Sequence, residues 1–131
     1  MAQARRELRV AGQAEPISHF TDAVQAGDLL FVSGVVPVDE GRELVGADDV
    51  VAQAHAVFAN MRDVLAAAGC TFADVVKVTV FLTDIDDRPL VNPVRQEIFG
   101  SSRPASTLVE VSALVIPGAR IEVDAVALIP S

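Results

Sequence analysis

The run from Arg103 to Asp124 constrains the fold of this chain more than any other stretch. Two segments rich in β-branched residues flank Ile116-Pro117-Gly118, a turn signal, and read as the two strands of a hairpin. Side chains alternate between the faces of a strand, so Ile121, Val123, Ala125, Ala127 and Ile129 share one face. Thr107, Val109, Val111, Ala113 and Val115 share a face of the first strand, and the two sets make an apolar layer that must be covered. The opposite face mixes Ser106, Leu108, Glu110 and Ser112 with Arg120, Glu122 and Asp124. A solvent face rarely needs Leu108, Leu114, Val126 and Leu128, and a core rarely tolerates three carboxylates. Such a mixture is expected where something other than the chain's own core covers the sheet, most simply a second copy, with a pocket at the seam.

Composition supports that reading. The chain has 131 residues, enough for one domain with its own core, and 51% of them are hydrophobic. The mean hydropathy of +0.42 is high for so small a soluble monomer, yet no apolar run approaches the roughly 20 residues of a membrane helix. An oligomer is the expected outlet for the surplus. The formal charge is −8, with a single lysine, Lys77, and nine scattered arginines, which argues against a nucleic-acid partner. Cys70 is the only cysteine, so no internal disulfide forms, and Met1–Leu8 carries charge without an apolar h-region. A cytoplasmic protein is expected.

Taken in order, residues 5–10 read as a first strand, 18–24 as a second and 29–36 as a third. The third strand is nearly continuous in apolar residues, which predicts burial on both faces, and Gly34 within it predicts a bulge or the close approach of another group. Asp48 or Asp49 is placed to cap a helix whose stripe is Val50, Ala54, Val57, Phe58, Met61, Leu65 and Ala68, with Gly69 past its end. Residues 75–83 read as a fourth strand. Asp86 or Asp87 caps a second helix with Pro89 in its first turn, an apolar stripe of Leu90, Val91, Val94 and Ile98, and Gly100 as its stop. The order β-β-β-α-β-α-β-β predicts an α+β domain over residues 1–131, with two helices on one face of a mixed sheet.

Few residues invite chemistry. His19 and His55 have no cysteine or carboxylate at ligand spacing, so no metal site is expected. His55 falls off the helix stripe and reads as a surface residue, while His19 beside Phe20 reads as a candidate for a pocket wall. Cys70 reads as a small buried hydrophobe, and Ser33 does not lie in a nucleophile elbow. The carboxylates are more informative. If Val115 lies opposite Ala119, Ser112 faces Glu122 and Glu110 faces Asp124. Two such charges at about 5 Å repel by roughly 3 kcal/mol at an effective dielectric of 20. Arg120 is then the candidate counter-ion, and the alternatives are a structural ion network at a subunit seam and a shared proton at a catalytic site.

The chain resembles the Rid, or YjgF, family of reactive-intermediate deaminases. The resemblance rests on Gly27 to Gly34 followed by Pro37, on Gln53 to Gly69, on Asp74 to Asp84, on Val91-Asn92, and on Arg103-Pro104-Ala105 leading to Val109-Glu110-Val111 and Ile121 to Ala125. It implies a chorismate-mutase-like fold, a homotrimer with ligand clefts between subunits, and hydrolysis of enamines or imines to a carbonyl compound and ammonia without a cofactor. It implies Glu122 as the carboxylate that positions the attacking water, and Ser33, Asn92 and Phe20 as pocket residues, the last keeping a ring where a tyrosine often stands. At Ser106 the chain departs from the pattern: imine-hydrolysing members carry there an arginine that pairs with the substrate carboxylate. Losing one partner of a buried charge pair costs about 2–5 kcal/mol, which a serine cannot make up. A substrate other than a simple 2-imino acid is therefore expected, or another cation, with Arg103, Arg120 and His19 as candidates. Ser106 and Thr107 complete the expected substrate-binding set. The competing readings are a trimeric ligand-binding or regulatory protein without turnover, and a ribonuclease, which the acidic balance disfavours.

Overall fold

The strands of this chain order themselves by which face each must bury. The structure is a computed structural model and describes residues 5–131. Met1–Ala4, part of the charged start read above as lacking an apolar leader, lies outside them. Strands β1 (Arg5–Leu8), β2 (Ala23–Ala26) and β3 (Leu29–Val35) precede helix α1 (Val50–Ala67). A 3-10 turn, Phe72–Asp74, leads into β4 (Val75–Leu82). A second one, Ile85–Asp87, opens helix α2 (Arg88–Phe99), and β5 (Ala105–Glu110) and β6 (Ile121–Leu128) follow. The six strands form one sheet in the order β1-β2-β3-β6-β4-β5. Only β4 and β5 pair in parallel, because α2 carries the chain back to the same edge between them. No helix among the described residues is long and apolar enough to cross a membrane.

Both helices cover one face. Leu30 and Val32 of β3, Val78, Val80 and Leu82 of β4, and Ile121, Val123, Ala125 and Ala127 of β6 are buried beneath them. Helix α1 sets its stripe of Ala54, Val57, Phe58, Met61 and Leu65 into this layer, each large side chain worth roughly 1.5–3 kcal/mol. Asp49 starts α1, its Oδ1 accepting from the Ala52 amide at 3.0 Å, and Gly69 follows its end with φ +75°. The edges of Phe58, Phe72 and Phe99 meet at centroid distances of 5.4–6.2 Å and tie α1 to the end of α2.

Several expectations give way. The hairpin does not form: β5 and β6 lie on opposite sides of β4, so Glu110 pairs with Leu82, while Glu122 pairs with Phe81 and Asp124 with Thr79. Ile116-Pro117-Gly118 does turn, with Ala119 N–H donating to Ile116 at 3.0 Å and Gly118 at φ +84°, but within a long connection. That connection packs Ile116 and Ala119 on Val38 in a small second core. Faces are exchanged as well. Ser106, Leu108 and Glu110 align with Val78, Val80 and Leu82, so they belong to the helix-covered side, and Thr107 and Val109 belong to the open side. The second strand begins at Ala23, five residues later than read, because Ser18 to Asp22 form an irregular strap. Strand β3 is buried on one face only: Leu30 and Val32 are inside, while Leu29 and Phe31 are exposed on the open face.

Candidate functional site

The bulge predicted at Gly34 is where the site forms. The pairing of β3 with β6 slips between Val32 and Val35, and the backbone of Gly34 comes up against the Glu122 side chain. A Cβ at Gly34 would collide with Glu122 Oε2, so any larger residue here would displace the Glu122 carboxylate from its place. Glu122 itself sits mid-sheet, between β3 and β4, on the face opposite Ile121 and Val123. Burial raises its pKa above the ordinary glutamate value, and the neighbouring charge of Asp124 adds to the rise.

A cavity of about 470 Å³ opens over this bulge. Glu122, Ser33 and Gly34 line it from the sheet, Phe20 from the strap, and Asn60 from α1. The strap is held by hydrogen bonds that leave it little freedom. Ser33 Oγ donates to the Thr21 carbonyl at 2.6 Å, and Thr21 Oγ1 donates to Leu8 at 2.8 Å. Asp22 accepts from the Val10 amide at 2.8 Å and pairs with Arg9, which also reaches Glu15. Arg42 donates to the Glu15 carbonyl at 2.6 Å, closing the outer rim. Asn60 Nδ2 bonds the carbonyls of Val36 and Val38, so the far wall is equally fixed.

The start of β6 is clamped too. Buried Gln53 accepts from the Arg120 amide at 2.7 Å and donates to the carbonyls of Gly46 and Gly118. Arg120 pairs with Asp87 through both carboxylate oxygens, at 2.6 and 3.1 Å. It is therefore not the counter-ion expected for the Glu110 and Asp124 pair, because it turns to Asp87. Asp87 heads α2 as expected but makes no side-chain cap bond; the ion pair uses its oxygens instead. Gln53 and Asp87 went unrecognised as supports of the site, since a lone glutamine on a helix stripe carries no sequence signal. Cys70 is buried, which raises its thiol pKa, and among the described residues no cluster of potential metal ligands occurs.

The structure thus gathers Phe20, Ser33 and Glu122 in one cavity. His19 is exposed on the strap and does not line it. The remaining expected binding residues lie at the α2–β5 edge. Asn92 is exposed on α2, and Arg103 is exposed just ahead of β5. Thr107 accepts from Lys77 Nζ at 2.9 Å on the open side, and Ser106 accepts from Arg95 Nη2 at 2.7 Å on the helix side. Ser106 therefore does not share the face of Glu122, contrary to the hairpin parity.

A mixed six-stranded sheet backed by two helices, with a carboxylate cavity at the β3 bulge, defines a small α+β domain of a known kind. Residues 11–129 match the family described as Endoribonuclease L-PSP, and the chain belongs to this family, the Rid or YjgF proteins. It is 40% identical over 127 residues to Protein DfrA of Myxococcus xanthus, covering 95% of this chain and 96% of that one. It is 36% identical over 124 residues to the human 2-iminobutanoate/2-iminopropanoate deaminase, covering 95% and 90%. The crystal structure of the Rid-family protein YyfA from Yersinia pestis superposes with a TM-score of 0.89 at 31% identity, covering 95% of this chain and 99% of that chain.

Proposed function

We propose that the chain hydrolyses an enamine or imine to a carbonyl compound and ammonia, without a cofactor, with Glu122 as the base. The observation that carries this is Glu122 itself: a half-buried carboxylate of raised pKa in a walled cavity, beside a glycine that leaves it room. Such a group holds a water and removes its proton as the oxygen attacks. The water oxygen bonds to the imine carbon, the C=N π pair moves to nitrogen, and Glu122 takes the proton. The resulting carbinolamine receives that proton on nitrogen, Glu122 then takes the hydroxyl proton as the C–N bond breaks, and ammonia leaves as the carbonyl forms. An enamine enters the same path after protonation at carbon. The related human deaminase acts on imines of this class by its name.

Charge supports the choice. Glu15, Asp22, Asp39 and Glu122 line the cavity against Arg42 alone, so a protonated imine is attracted and an RNA phosphodiester is repelled. The strand position where a family arginine would stand holds Ser106, so the substrate is anchored differently from a simple 2-imino acid. Phe20 and Ser33 then shape the imine end of the site, and Asn92, Arg103, Ser106, Thr107 and His19 belong to its outer part, contributed across a homotrimer seam. A screen of enamines and imines generated in place by amino-acid oxidases or lyases, read as ammonia release, tests the reading. Saturable release should fall about 10²- to 10⁴-fold in Glu122→Gln. Saturable ligand binding without ammonia release from any member of the screen would favour a non-catalytic binder.

A further inference from the structure

The chain has two arginines that are partly buried, Arg95 and Arg120. Arg120 is matched by Asp87. Arg95 is not: among the described residues no carboxylate lies within ion-pair distance, and the described hydrogen bond of its guanidinium is the one to Ser106 Oγ. Burial pulls its pKa below the ordinary arginine value, as expected for a cation short of water and of a counter-ion. A guanidinium has five N–H donors in a fixed fork, and a single serine hydroxyl leaves most of the fork unmatched. Ser106 draws the fork onto the strand instead of letting it swing into solvent. Asn92 lies one helical turn before Arg95, adding an amide on the same side of α2, and exposed Arg103 adds charge at the head of β5.

We infer that Arg95, oriented by Ser106, is the anchor for an anionic group of the substrate, a carboxylate on the imine or enamine. The inference rests on the hydrolytic reading for the word substrate; anion binding itself does not need it. Neither Arg95 nor Ser106 lines the Glu122 cavity of its own chain, and in the homotrimer proposed above the anchor serves the cavity of a neighbouring copy. The imine end meets an acidic wall and the carboxylate end meets Arg95, and this polarity sets the direction in which the substrate enters. Arg95 reaches Ser106 from the helix layer, whereas an arginine on the strand itself would project beyond it.

The test uses 2-oxoglutarate as probe, a product-like acid with one carboxylate beside the carbonyl and another further along. Calorimetry is run on the native protein, Arg95→Gln, Arg95→Lys and Glu122→Gln, each checked for fold by circular dichroism. Arg95→Gln should weaken binding at least tenfold, Arg95→Lys less, and Glu122→Gln less than threefold. Native protein that does not bind the probe, or equal binding by Arg95→Gln, would overturn the anchor. Arg95-dependent binding with no ammonia release from any imine would sink the hydrolytic reading and leave the anchor standing. Co-assembled Arg95→Gln and Glu122→Gln chains should regain part of the activity each lacks alone. No recovery in mixed assemblies would overturn the placing of anchor and base on different copies.

Discussion

At Glu122 burial and a like-charged neighbour act in the same direction, and the consequence differs for stability and for rate. The folded chain holds the Glu122 proton to a higher pH than the unfolded chain does. The resulting penalty on the fold is absent below the ordinary glutamate value and grows as pH rises through the window up to the raised one. Activity runs the other way, since the base must be ionised, so the acid limb of the rate profile should lie above the ordinary glutamate pKa. Asp124→Asn removes the smaller of the two causes. Its acid limb should move down toward the ordinary value without reaching it, because burial remains, and a pH profile of ammonia release would show this. An unmoved limb would mean that Asp124 does not act on the base. A bulge or close approach at Gly34 was legible in the sequence, and Glu122 was singled out there by the family resemblance. That the two touch was not legible, because they stand 88 positions apart and only the sheet joins them.

The element that most needs support is β6, which carries Glu122 in the middle of the sheet. Arg120, the residue just ahead of the strand, is fixed by Gln53 from α1 and by Asp87 at the head of α2. Arg120→Met would leave the buried Asp87 carboxylate unpaired and should cost about 3 kcal/mol in a urea unfolding experiment. Adding Asp87→Leu should restore most of that loss, because an apolar pair of similar size tolerates the site. Failure of the double variant to recover would show that the ion pair contributes more than relief of one stranded charge. At this scale the helices are legible nearly to the residue, since Asp49, Gly69, Pro89 and Gly100 are local signals and the apolar stripes repeat every turn. The expected hairpin fails for the same local reason. A turn between two strand-like runs is what neighbouring sequence shows, but β4 competes for the same edge of β6 and offers Val78, Val80 and Leu82 to the core.

Over the whole molecule, the sheet face away from the helices remains uncovered within one chain. Phe31 is 44% exposed and Leu128 50% exposed there, with Val126, Thr79 and Asp124 between and beside them. Apolar area of this kind is buried by a partner or left as an aggregation risk. The expected state is a homotrimer, three times the 13.8 kDa chain, by light scattering at micromolar concentration. Phe31→Asp should reduce it to the mass of one chain while leaving the circular dichroism of the fold, and ammonia release should fall with it. A native protein of single-chain mass would remove the basis for a cleft shared between copies.

What the sequence determined by itself was therefore local or compositional. Cap residues, helical stripes, the glycine of the bulge and the α+β order all act through neighbours a few positions apart, and 51% hydrophobic content already demanded a surface to cover. Tertiary structure decided which strands pair and hence which face each residue of β5 presents. It placed Ser106 under Arg95 and not beside Glu122, matched Arg120 with Asp87, and set Glu122 against Gly34. The physical reason is that a strand's two faces look alike in an alternating sequence until a neighbour is chosen. That choice is made by long-range burial, and a single change of partner reverses every side chain along the strand.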